Sequence, residues 1–261
     1  MQFTVVYKTY KNDLKWLKYS LLSLQKYVSD ISEMIIYYHD ECEKELNDML
    51  ETLNLTLKYR LIPVVYDMNG YLKQMVVKCM CFEDVNTEFI MYMDSDVIFS
   101  DNYTPKSVIE ENKIKWFIQR RNEHNYNVDF WLVWEKSVEK MTNDKMSVFY
   151  MSNEFPFILK RETVEKAYHK FIEMHGVDYN TFCKDLLDLN NVKVSDSIVD
   201  NFLTMATIFE EFEYLGWYSS NFTDDYIFTE ERDYQIFKKQ FWSHGGLTEE
   251  IEVEIKKMLL N

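Results

Sequence analysis

The chain alternates between short apolar runs and longer stretches in which apolar residues recur at helical spacing. Phe3-Thr4-Val5-Val6-Tyr7-Lys8-Thr9-Tyr10 is rich in β-branched and aromatic residues, which predicts a first strand. It stops at the polar Lys11-Asn12-Asp13, where Asn12 or Asp13 can cap a helix. Leu14, Leu17, Leu21, Leu24 and Val28 then predict a helix from about Leu14 to Tyr27 with one buried face. The alternation continues with a strand at Met34 to Tyr38, a charged helix from about Glu41 to Leu53, and a strand from Leu57 to Val65. A turn at Asp67-Met68-Asn69-Gly70 leads into a helix from about Tyr71 to Asp84. Strand, helix, strand, helix, strand in this order implies right-handed crossovers and a parallel sheet.

Further along, Lys113 to Ile118 reads as a strand, and helices are predicted from Glu162 to His175 and from Ser197 to Glu210. Between them, Phe130-Trp131-Leu132-Val133-Trp134 fits either a strand or the start of a helix. The pattern as a whole predicts one α/β domain with a mostly parallel, Rossmann-like central sheet flanked by helices. Its first ~120 residues read as a nucleotide-binding half.

One strand differs from the others in how it ends. Phe89-Ile90-Met91-Tyr92-Met93 is a buried run that passes directly into Asp94-Ser95-Asp96. Open α/β sheets bind ligands at the carboxyl ends of their strands. Two carboxylates there suit a hard cation, Mg²⁺ or Mn²⁺, bridging to the phosphates of a nucleotide. The plain alternative is a strand that runs into an Asp/Ser turn.

Composition narrows the choice. With 47% hydrophobic and 16% aromatic residues over 261 positions, disorder is excluded, and 5 Gly and 3 Pro leave little material for linkers. A formal charge of -15 argues against nucleic-acid binding and against adsorption to anionic membranes. It remains compatible with a nucleoside diphosphate if a divalent cation intervenes. Cys42, Cys79, Cys81 and Cys183 show no metal-binding spacing and read as reduced, buried thiols. The amino terminus reads as a strand rather than a signal peptide, and no apolar run approaches ~18 residues, so a soluble, cytoplasmic protein is expected.

Other residues join the two aspartates as candidates. Tyr71, Gln74 and Lys78 share a helical face, from which Lys78 can reach a phosphate and Gln74 a base or ribose, unless the stripe is merely solvated. Glu210, Glu211 and Glu213 crowd together, so repulsion is expected to raise one pKa toward a useful value, although acidic clusters are commonly solvated faces. Tyr126, Phe130, Trp131, Trp134, Trp217 and Tyr218 offer flat faces for a sugar ring, or belong to the core. His244, followed by Gly245-Gly246, is either a third metal ligand or a turn-associated surface histidine.

Taken in order, these segments resemble the GT-A class of nucleotide-sugar-dependent glycosyltransferases, of the compact soluble type seen in bacteria and large algal DNA viruses. The resemblance rests on the strand ending in Thr9-Tyr10, on Gly70-Tyr71-Leu72-Lys73-Gln74 with Lys78, on Asp94-Ser95-Asp96 as the DxD motif, and on Glu154-Phe155-Pro156-Phe157. Glu211-Phe212 with Gly216 and Tyr218, and Trp242-Ser243-His244-Gly245-Gly246, complete it. It implies transfer of a sugar from a nucleoside diphosphate, UDP favoured, to a hydroxyl of a glycan or glycoside, with Mn²⁺ or Mg²⁺. In that scheme Asp94, Asp96 and His244 hold the metal, and Thr9, Tyr10, Tyr71, Gln74, Lys78, Asp94 and Ser95 contact the donor. Glu211 is the expected base of an inverting transfer, and Trp217 and Tyr218 line the acceptor site. The rival readings are a sugar-phosphate nucleotidyltransferase, which Thr9-Tyr10-Lys11-Asn12 disfavours for want of glycine, and a noncatalytic acidic partner-binding domain.

Overall fold

The computed structural model describes the chain except for residues 121–127, 146–147, 151–154, 190–203, 231–237, 242, 244–245 and 261. In chain order its strands are β1 (Phe3–Lys8), β2 (Ile31–Tyr38), β3 (Tyr59–Pro63), β4 (Phe89–Met93), β5 (Val97–Phe99), β6 (Ile109–Glu110), β7 (Lys113–Phe117), β8 (Gln119–Arg120), β9 (Val148–Phe149), β10 (Phe157–Lys160), β11 (Tyr226–Thr229) and β12 (Lys238–Gln240). The helices are α1 (Leu14–Tyr27), α2 (Glu43–Thr52), α3 (Gly70–Met80), α4 (Val128–Thr142), α5 (Arg161–His175), α6 (Tyr179–Leu189), α7 (Glu211–Phe222) and α8 (Glu249–Leu260).

The result is a mixed α/β fold around a central sheet of order β10-β4-β1-β2-β3. β1 runs parallel to both β2 and β4, and β2 is parallel to β3. β10 pairs antiparallel with β4 and closes that edge. Strands β1 and β4 are buried along their whole length, as near-continuous apolar runs require when helices cover both faces of a sheet. The register places Tyr7 beside Met93, so both strands deliver their carboxyl ends to one place. Lys8, Thr9 and Asp94 follow within one or two residues.

The local reading of α1 needs one correction. Leu14, Leu17, Leu21 and Leu24 face the main core as expected, but Trp16 and Tyr19 are buried as well. α8 covers them, with Ile255, Ile98 and Phe241 packed into the same cluster. Tyr27 Oη donates to the Met258 carbonyl at 2.7 Å, and Tyr19 bonds Glu252. α1 is thus sandwiched, because its second apolar stripe meets a helix more than 220 residues away in sequence.

The ambiguous stretch around Phe130 is helix α4. The helix predicted from Ser197 to Glu210 lies partly outside the described residues; a helical turn at 204–206 ends before Glu210, and the regular helix begins at Glu211. All four cysteines are free and buried. Among the described residues, no helix is long and apolar enough to cross a membrane.

Candidate functional site

Four segments bring their chemistry to the carboxyl ends of β1 and β4. The first is the DxD turn. Directly after β4 the chain tightens, with Val97 N–H donating to the Asp94 carbonyl at 3.3 Å, and β5 then leads away. Ser95 and Asp96 are buried, while Asp94 stays partly open. Ser95 Oγ lies 3.4 Å from Thr9 Oγ1, which ties the turn to the end of β1.

The second segment runs past Asp96 from the far end of the chain. β12 pairs antiparallel with β5, and Phe241 stacks near Trp16 with ring centroids 5.9 Å apart. Phe241 N–H donates to the Asp96 carbonyl at 3.0 Å, and Ser243 N–H donates to Asp96 Oδ2 at 2.8 Å. Asp96 Oδ1 is left buried with no hydrogen-bond partner among the described residues. Burial, and then the Asp94 charge, raise the Asp96 carboxyl above its ordinary value.

The third segment is α3, whose face aims at Asp94. Asn69 caps this helix by accepting from Tyr71 N–H at 2.8 Å. Two turns on, Lys78 is buried, with Nζ 3.1 Å from Asp94 Oδ1 and 3.1 Å from Glu211 Oε1. Its ammonium also lies over the rings of Phe155 and Phe212, 4.7 and 5.2 Å from their centroids. Burial opposes the charge, but the two carboxylates outweigh it and hold Lys78 above the usual lysine range. Lys78 therefore stays a cation.

The fourth is the start of α7. Glu210, Glu211 and Glu213 are all fully buried. Tyr71 Oη donates to Glu210 Oε2 at 2.9 Å, so Tyr71 and Lys78 do share a face and both meet α7. Gln74, between them on the same face, is half-buried. Glu213 serves the backbone instead, accepting from Tyr150 N–H at 3.1 Å. One of the three pKa values is indeed raised, as repulsion suggested, but it belongs to Glu210: burial, then Glu211, push it well above the carboxylate range.

Three further residues of the site were not among the sequence candidates. Lys8, at the end of β1, is buried with no carboxylate at ion-pair distance among the described residues, and burial lowers it to about 8. His39 follows β2; burial, then Lys8 and Lys73, lower it to about 4, and its Nε2 is buried without a partner among the described residues. Asp13 had been read as a possible cap, yet its side chain makes no cap bond to α1. Burial, then the Asp96 charge, push it up to about 7. Asp13, Asp94 and Asp96 thus repel one another, and Lys8 and Lys78 supply positive charge among them.

Other expectations fall elsewhere. Trp217 and Tyr218 are buried on α7: Trp217 stacks on Tyr214 and donates from Nε1 to Asp144 at 2.8 Å, and Tyr218 stacks on Phe222. Both rings pack against aromatic neighbours of the same helix. His244 and Glu154 lie outside the described residues, as do Tyr126 and the side chains of Phe130 and Trp131. Among the described residues, no three His, Cys, Asp or Glu side chains converge on one metal position. The donor set still fits Mg²⁺ or Mn²⁺, which take one or two carboxylates and complete their shells with water and substrate phosphate. The unpartnered Asp96 Oδ1 is the oxygen such an ion would satisfy.

Comparison with known proteins adds a family. A model described as "Family of unknown function (DUF6492)" matches residues 8–246, from the last residue of β1 through the Asp94-Ser95-Asp96 turn and α7 to the segment beside Asp96. No curated protein matches the chain at a significant level. Among solved structures, the crystal structure of 4-diphosphocytidyl-2C-methyl-D-erythritol synthase from Anaerococcus prevotii aligns with a TM-score of 0.47 and 12% identity, over 99% of this chain and 96% of that one. That resemblance is loose, and the fold assignment rests on the sheet order and register above.

Proposed function

The chain belongs to the DUF6492 family, and we propose that it is a metal-dependent transferase whose donor is a nucleoside diphosphate sugar, UDP favoured. The observation that carries this reading is the state of Asp96. One carboxylate oxygen is fixed by Ser243 N–H and the other is buried without a partner among the described residues, at the carboxyl end of a central strand. A buried anionic oxygen with no donor is costly unless a cation meets it. Asp94, held by Lys78, and Asp13, pressed against Asp96, add the negative field that draws a divalent ion.

Asp96 and Asp94 would hold Mn²⁺ or Mg²⁺ together with the diphosphate, and His244, next in sequence to Ser243, is the proposed third ligand. The ion would supply Lewis-acid stabilisation of the charge that builds on the departing diphosphate. Thr9, Tyr10, Tyr71, Gln74 and Ser95 are the proposed donor contacts, and Lys8 adds a cation on the nucleotide side. Glu211, as a fully buried carboxylate paired with Lys78, is better suited to orienting that lysine than to receiving a proton from an acceptor. Asp13, which reaches about 7, is the carboxyl whose titration lies nearest the range a base needs. The acceptor, a hydroxyl on a glycan or glycoside, approaches from the open side of Asp94 in this reading.

The test supplies two substrate sets with Mn²⁺. A UDP-sugar with glycoside acceptors should yield UDP, whereas UTP with a sugar 1-phosphate should yield no pyrophosphate. Pyrophosphate release without transfer from the UDP-sugar would favour the nucleotidyltransferase reading instead.

A further inference from the structure

Beneath the site lies a pair of carboxyl groups whose atoms do not add up as two anions. Glu210 is the residue before α7, yet its side chain does not cap the helix. It turns inward, where Oε2 accepts from Tyr71 Oη at 2.9 Å and Oε1 is buried with no hydrogen-bond partner among the described residues. Beside it Glu211 Oε1 faces Lys78 at 3.1 Å, and Glu211 Oε2 is likewise buried with no hydrogen-bond partner among the described residues. Neither residue has any solvent exposure. Two carboxylates can leave two such oxygens facing no donor only at a large desolvation cost, but the two side chains are in hydrogen-bonding contact, so a single proton makes one carboxyl a donor to the other.

We infer that Glu210 and Glu211 share one proton in the folded protein, with Glu210 the neutral acid, so that the pair presents a single negative charge to Lys78. The surroundings decide which carboxyl is the acid. Glu211 has the cation, and it stands in the first turn of α7, where the helix dipole favours negative charge. Glu210 has a phenol. The groups facing the pair are Tyr71, Lys78 and Cys79 from α3, Asp94 after β4, and Glu213 from α7. Of these only Lys78 is cationic, and it already meets Asp94 and Glu211. A second full charge on Glu210 would have no counter-ion. The raised pKa of Glu210 agrees with this. Glu210 is then a positioning residue: its shared proton keeps Glu211 aimed at Lys78, which in turn holds Asp94. The inference stands whether or not a nucleotide binds.

Infrared spectroscopy of the unliganded protein tests it directly, at about pH 8.5, where the Asp13 carboxyl has given up its proton. A carbonyl band of a protonated carboxylic acid should be present in the wild type, absent in Glu210→Gln, and retained in Glu213→Gln. No such band, or one that survives Glu210→Gln, overturns the inference. Gln mimics the neutral acid in shape and donor capacity, so a Glu210→Gln protein that fails to fold also counts against it. Thermal melts give a second readout. Glu210 has a folded pKa raised above 4.5, so its stabilising share is complete below that value and declines as pH rises toward the folded pKa. Glu210→Gln has no such decline, and its melting temperature should gain on wild type steadily as pH rises above about 4.5. Parallel melting curves across that range would contradict a shared proton.

Discussion

Ser243 N–H donates a hydrogen bond to Asp96 Oδ2 at 2.8 Å across 147 residues of sequence. The bond joins the last third of the chain to the carboxyl end of β4, and it orients the aspartate with its other oxygen free of donors among the described residues. Trp16 of α1 and Phe241 hold the segment in place, so the packing of α8 on α1 bears on the geometry of the acidic turn. Fold and candidate chemistry meet there.

Lys78 is the strongest test of the buried charge network. Lys78→Met leaves Glu211 fully buried and Asp94 partly buried without their cation. Breaking such a pair costs about 3–5 kcal/mol. Chemical denaturation should show a loss of that size, and Lys78→Met/Glu211→Gln should recover part of it. A single mutant within about 1 kcal/mol of wild type would mean that the pair is already dispensable.

Metal affinity should depend on Asp13. Its carboxyl sits at about 7 because of burial and Asp96, and a cation beside Asp96 favours the ionised form. Binding then expels a proton at low pH, so Mn²⁺ affinity should climb as pH rises toward about 7 and level off above it. Calorimetry in buffers of different ionisation enthalpy would count that proton. Affinity that is flat with pH would detach Asp13 from the metal site, as would an Asp13→Asn protein that keeps the wild-type slope.

How much of this was legible in the sequence follows from which cues are local. β1, α1, α3 and β4 are set by apolar runs and spacing within one segment, and the structure places all four as read, with ends shifted by a few residues. Asp94 and Lys78 also come together, one on the turn after β4 and the other on the helix that precedes that strand. Lys8 was hidden inside its strand; a lysine closing an apolar run was the available signal. Asp13 looked like a cap, and nothing in Lys11-Asn12-Asp13 tells a capping carboxyl from one pressed against Asp96. The stacking of Trp217 on Tyr214 was not legible either, because an aromatic on a helix looks the same whether its face meets a sugar or another ring.

Lys8 should set the upper pH limit of nucleotide binding. Burial lowers it to about 8, so its charge is lost as pH rises through that value. An anionic ligand needs the charged form, and UDP affinity should therefore fall above about pH 8. Lys8→Met should bind UDP more weakly at neutral pH and show no further fall. A wild-type affinity that holds steady to about pH 9.5, near the intrinsic lysine range, would exclude Lys8 from the ligand.

Gly216 tests the packing of α7. A Cβ there would lie 2.2 Å from Tyr150 Cγ, far inside contact distance. Tyr150 also bonds Glu213 through its N–H and Ser220 through its hydroxyl, so its ring has little room to retreat. Gly216→Ala should cost about 1–3 kcal/mol by overpacking. Gly216→Ala/Tyr150→Ala should lose no more than Tyr150→Ala alone; an additive loss would place the cost of the methyl elsewhere.

The central claim is that Asp96 holds a divalent cation through which a nucleoside diphosphate binds. Titration calorimetry of UDP into the wild type and Asp96→Asn, each with and without Mn²⁺, measures that directly. The account predicts strong binding in one of the four titrations, wild type with Mn²⁺, and a loss of about 100-fold or more in Asp96→Asn, equivalent to about 2.8 kcal/mol. Binding of UDP that is equally tight without metal, or a folded Asp96→Asn protein with undiminished Mn²⁺-dependent affinity, would contradict it.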